Sequence, residues 1–203
     1  MTLTVYPLWR WCVLSGLLWS GFWGASAQAL PGQPAEVVAA WIKDHPILQP
    51  APGETLLIRK QEADGSRFTF QAEVTPPGRI VTPLDKETIR TERITLFKTN
   101  GLSPDQLAQT IRDIYGSEIE ADFTQAPEVL RYPRAEVLDA PMTQDNFLQR
   151  AIQGVIRQGT QFVYWLELTQ NPDGSVQQGK IVLFEAEWLP KVQQELTERY
   201  QLP

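Results

Sequence analysis

The side chains able to do chemistry are few in this chain, and they are scattered. His45 is the one histidine, and it follows Asp44. A histidine acting as general base or metal ligand works within a constellation, and here no second imidazole exists to join it. The plainer reading is a structural residue interacting with the carbonyl end of its helix. Glu185 and Glu187, two positions apart in a strand-like run, would stand roughly 7 Å apart on one face. That is near the separation of paired glycosidase carboxylates. Nothing nearby supplies a sugar groove, so a solvated pair is preferred. Arg59, Arg67, Arg79, Arg90 and Arg93 could together grip a carboxylate or phosphate. Glu62, Glu73, Glu87 and Glu92 lie among them, however, which suits cross-strand pairs on a wet face.

Four residues remain as binding candidates. Arg79 ends the corner Pro76-Pro77-Gly78-Arg79, while Tyr132 and Arg134 flank Pro133 in a second irregular stretch. Long connections of this sort often carry function. Trp165 would belong to a partner-binding patch if its face were open, and to the core if a helix covered it. No catalytic residue, metal site or cofactor is assigned, since no phosphate loop, nucleophile elbow, zinc spacing or calcium loop occurs.

The elements that must hold these residues are legible in part. Thr160 to Trp188 reads as a long β-hairpin with Asn171-Pro172-Asp173-Gly174 at its tip. Phe162, Tyr164, Leu166 and Leu168 share one face of its first arm; Val182, Phe184, Ala186 and Trp188 share one face of the second. Val163, Trp165, Ile181 and Leu183 make the opposite faces apolar too, which predicts a central strand pair covered on both sides. Thr55 to Glu62 and Arg67 to Thr75 form another hairpin around Asp64-Gly65. Ile89 to Phe97 is a further strand, with Arg90, Glu92 and Arg93 wetting one face. Ile119, Ala121 and Phe123 alternate as yet another. Helices are expected from Pro34 to His45, from the Ser103 capping box to Gly116, and from Pro190 to Tyr200. Thr143 to Gly159 shows helical spacing through Phe147, Leu148, Ala151, Ile152, Val155 and Ile156. The segment from Thr124 to Met142 shows no clear period. Asp-Gly-Ser recurs at both hairpin tips, so two helix-hairpin units are conceivable, although the spacing differs. The fold class expected is α+β: a largely antiparallel sheet from two β-hairpins plus further strands, with packed helices.

The first 29 residues have a different character. Arg10 precedes an uncharged run from Trp11 to Trp23, and Ala25-Ser26-Ala27 and Ala27-Gln28-Ala29 offer small-residue cleavage patterns. That order is a secretory signal peptide, cut after Ala27 or Ala29, leaving residues 30–203 as one domain. The alternative is an uncleaved membrane anchor over residues 11–30. Cleavage would remove the sole cysteine, Cys12, and take the 18 basic side chains to 17 against 24 acidic ones. An acidic exported domain without a thiol needs no disulfide and does not suit nucleic acid.

Trp41-Ile42 through His45-Pro46-Ile47-Leu48, the Pro76-Pro77-Gly78-Arg79 corner and the Ile114-Tyr115-Gly116 helix end resemble an uncharacterised family of exported cyanobacterial proteins. The resemblance spans most of the chain after residue 29. It implies a periplasmic or thylakoid-lumen setting and carries over no catalytic or binding residue. The export signal, the acidic domain, the extended proline-rich loops and the lack of a recognisable catalytic group lead to the function expected: an exported, non-catalytic module that binds a protein partner at or near a membrane. The rivals are a small-ligand-binding protein or hydrolase with a pocket beside the sheet, and a structural domain held by an uncleaved anchor.

Overall fold

A computed structural model describes residues 30–79, 87–140 and 143–200. The expected signal peptide or anchor lies outside these residues, as does the segment that follows Arg79. In chain order the elements are α1 (Ala35–Asp44), β1 (Leu57–Gln61), β2 (Arg67–Glu73), β3 (Thr91–Phe97), α2 (Pro104–Tyr115), α3 (Ser117–Gln125), β4 (Glu128–Tyr132), α4 (Ala135–Asp139), α5 (Gln144–Ala151), β5 (Ile152–Gln158), β6 (Val163–Gln170), β7 (Val176–Phe184) and α6 (Leu189–Tyr200). The strands form one antiparallel sheet in the order β1-β2-β3-β7-β6-β5-β4. The fold is α+β.

The β6–β7 hairpin lies well inside the sheet, as two-sided apolarity requires. One face carries Ile58, Phe70, Ile94, Tyr164, Leu166, Ile181 and Leu183, packed against α1, α2 and α3. The other carries Ile156, Val163, Trp165, Val182 and Phe184 beneath Leu189, Val192 and Leu196 of α6. Helix α2 begins where the sequence says it should. The Ser103 side chain accepts from the Gln106 N–H while Gln106 reaches back to the Ser103 N–H, and Gly116 at φ 84° ends the last turn. Both hairpin tips use the same local bond, Asp64 accepting from Ser66 N–H and Asp173 from Ser175 N–H. The β1–β2–β3 and β5–β6–β7 meanders meet at β3–β7, but α2 and α6, the helices that follow them, pack on opposite faces. The two halves are therefore not copies of one packed unit.

Several expectations are corrected. Thr143–Gly159 is not one helix: it is α5 followed by β5, which is paired on both edges. Ile119, Ala121 and Phe123 lie in α3, where Ile119 and Phe123, four apart, are both buried. Strand β7 ends at Phe184, so Ala186 to Trp188 form a single 3₁₀ turn and the Glu185/Glu187 strand face does not exist. Glu92 is not on a wet face; it is fully buried. The unreadable stretch after Thr124 contains β4 and α4.

Candidate functional site

The sheet sets up the candidate groove by leaving part of one face uncovered. Helices α2 and α3 lie over the sheet's centre, where Ile94, Ile181 and Leu183 are fully buried. Their cover thins towards β5, where Val155 is only half-buried, as is Leu168 on β6. Between them lies a groove of ≈ 420 Å³, floored by Val155, Leu166 and Leu168, walled by Leu107, Ala108 and Phe123, and bordered by Arg131 and Arg157. The Arg157 guanidinium sits 5.4 Å from the centre of the Phe123 ring. Arg131 is engaged by Glu128 at both carboxylate oxygens. Tyr132 and Glu167 also border the groove.

Across the ladder, Tyr132, Gly154, Glu167 and Lys180 stand in one row on adjacent strands. Gly154 has no side chain, and a Cβ there would collide with the Tyr132 ring. The tyrosine therefore reaches over β5 to a strand it does not pair with. Its hydroxyl donates to Glu167 Oε1 at 2.5 Å and accepts from Trp165 Nε1 at 2.5 Å, so both of its roles are filled. Glu167 is ion-paired with Lys180, whose Nζ lies 4.2 Å from the centre of the Trp165 ring. Tyr200 of α6 stacks on Tyr132 with ring centres 4.4 Å apart. Burial, reinforced by the Glu167 charge, pushes the Tyr132 hydroxyl above the ordinary phenol range. Burial lowers the Lys180 ammonium, with Glu167 pulling the other way. A phenol this reluctant to ionise, with its lone pair and proton both used, ties strands together and makes no nucleophile.

Two of the four binding candidates are thus brought together and two are not. Tyr132 and Trp165 form one buried cluster, in which Trp165 is only 6% exposed. Arg79 is exposed against α6, its N–H donating to Glu195 and its guanidinium 3.6 Å from Glu198. Arg134 precedes α4 and lines a shallow cleft of ≈ 360 Å³ with Glu136, Val137 and Asn146. Among the described residues no hydrogen bond joins either arginine to the cluster.

The other candidates take structural places. His45 accepts at Nδ1 from the N–H groups of Ile47 and Leu48, and its Nε2 lies 2.9 Å from the Ile114 carbonyl. That pattern needs the neutral ring protonated at Nε2, and burial lowers its pKa accordingly. The histidine does meet a helix's carbonyl end, but that of α2 rather than its own. Arg90 pairs with Glu185 at 3.2 Å and Glu187 at 3.6 Å, Arg93 with Glu73 at 3.1 Å, and Arg67 lies over Phe97 at 4.6 Å. These arginines are neutralised or packed, so they do not form an anion clamp. Among the described residues no group of three His, Cys, Asp or Glu side chains is placed to hold a metal, and no helix is long and apolar enough to cross a membrane.

Sequence reasoning missed the groove altogether. Leu166 and Leu168 read as core, while Val155 and Arg157 fall in the run whose spacing predicts a helix. No short motif marks such a site, because its residues come from six elements. Comparison with protein-family models, curated proteins and solved structures found no match.

Proposed function

We propose that this chain is a non-catalytic binding module and that its site is the groove between α2–α3 and the β4–β5–β6 side of the sheet, holding a small apolar ligand. The observation that carries the reading is a cavity of ≈ 420 Å³ with an apolar floor left half-open. Its size lies in the range of small-molecule sites, which are mostly apolar with a few polar groups at the margin. Half-buried Val155 and Leu168 would lose their remaining contact with water when a ligand arrives, which favours binding by roughly 25 cal/mol per Å² covered. A protein partner docking on Trp165 finds no support in a ring so deeply covered. Hydrolysis finds none in the Tyr132–Glu167–Lys180 row, whose hydrogen bonds are internal.

The test uses a neutral apolar fluorophore, N-phenylnaphthylamine, titrated into the purified domain. Ala108 is half-buried on the groove wall, so Ala108→Trp would fill the space. Dye affinity should fall roughly tenfold or more, with the melting temperature little changed. Equal binding by the two proteins would remove the groove as the site.

A further inference from the structure

We infer that the groove's ligand is a small amphiphile with an anionic head, and that Arg157 receives the head. This rests on the groove being the binding site. The groove runs along β5 with opposite charges at its two ends. Gln153 and Arg157, which both border it, are four residues apart and hence roughly 13 Å apart along the strand. Gln153 pairs with Leu168 at one end, and Arg157 with Tyr164 at the other.

The helices assign the charges to these ends. Leu107 and Leu168 both crowd the position a Cβ would take at Gly179. The first turn of α2, with Asp105, therefore lies at the Leu168 end. Phe123 lies 5.3 Å from the Tyr164 ring and 5.4 Å from Arg157, which marks the other end. An anion near Asp105 would be repelled; near Arg157 it would be attracted.

Arg157 has no ion-pair partner among the described residues, and Asp122, the carboxylate that accepts from the Tyr164 hydroxyl at 2.7 Å at this end, is held by the N–H groups of Thr160 and Gln161. Glu128 stands opposite Arg157 in the ladder but turns to Arg131 and occupies it. Among these three side chains one positive charge is left over. The guanidinium also stands near the carbonyl end of α3, which favours a cation there. That role needs only charge nearby and leaves the fork of donors available. A planar fork beside an apolar trough suits a carboxylate at the end of a hydrocarbon chain.

Calorimetric titration of the purified domain with decanoate, decanol and decylamine, each below its micelle concentration, separates the possibilities. Decanoate should bind about tenfold tighter than decanol, since a charge-assisted pair adds that much. Arg157→Gln should bring decanoate down to decanol's affinity, and Arg157→Lys should keep part of the preference by keeping the charge. If decanol binds but decanoate binds no tighter, or decylamine binds best, the head assignment fails while the groove stands. If none of the three binds, the groove reading itself fails, and this inference with it.

Discussion

Glu92 shows how one side chain can couple this fold to pH. It lies on β3, fully buried and facing the end of α2, where Tyr115 is stacked 6.3 Å from Trp41. Burial pushes its carboxyl up to about 8, with the Tyr115 hydroxyl pulling weakly the other way. The Tyr115 hydroxyl is its polar neighbour, and the Tyr164 hydroxyl in turn acts on Tyr115. A raised pKa in the folded state means that the folded chain holds a proton which the unfolded chain has released. Stability is therefore fullest in acid and falls as pH rises from the ordinary carboxylate range to about 8. The total loss is on the order of a few kcal/mol. His45 works in the opposite sense, because its lowered pKa removes stability as pH falls below the ordinary imidazole value. Urea denaturation at a series of pH values should show a decline between pH of about 5 and about 8, which Glu92→Gln abolishes. A stability difference between wild type and Glu92→Gln that stays constant across that range would show that Glu92 is not buried as described.

At the scale of elements, hydrophobic periodicity misled wherever two periods fit the same letters. Ile152, Val155 and Ile156 have helical spacing, yet they are β-branched, and Gly154 lies among them; strand pairing to β4 and β6 decides the matter. Ile119 and Phe123 sit on one face whether read by twos or by fours, and only the docking of α3 on Tyr164 through Phe123 separates the readings. Where local end signals bracket an element, sequence and structure agree: the Ser103 box and Gly116 bracket α2, and Asp-Gly marks both hairpin tips. Helix α6 was also expected, but its task was not. It is the cover that turns Trp165, Val182 and Phe184 into core. Leu196 is only 1% exposed in that contact, so Leu196→Ala should cost about 2–5 kcal/mol. Equilibrium unfolding followed by tryptophan fluorescence measures it, and a loss under about 0.5 kcal/mol would mean that α6 does not seal this face.

For the whole molecule, residues 1–29 and the described domain carry separate proposals. The described chain is held from its first residues: Leu30 packs on the core, and the Gly32 N–H donates to the Ile89 carbonyl at 2.7 Å. The export reading rests on residues 1–29 alone, and we propose it together with the groove as one exported binding module. Intact-mass measurement of the native protein should find it outside the cytoplasm, beginning at Gln28 or Leu30. A membrane-bound species retaining Met1 would favour the anchor, and a cytosolic one would end the export proposal. The sequence by itself determined the α+β class, the buried central hairpin and the caps and turns, because local hydrogen bonding and alternation of apolar side chains act over a few residues. Only the tertiary structure decided that Glu92 is buried, that Tyr132 reaches Trp165 across Gly154, and that a groove opens beside β5. Each of these depends on which strands become neighbours and where the covering helices stop, and those distances are set by residues far apart in the chain.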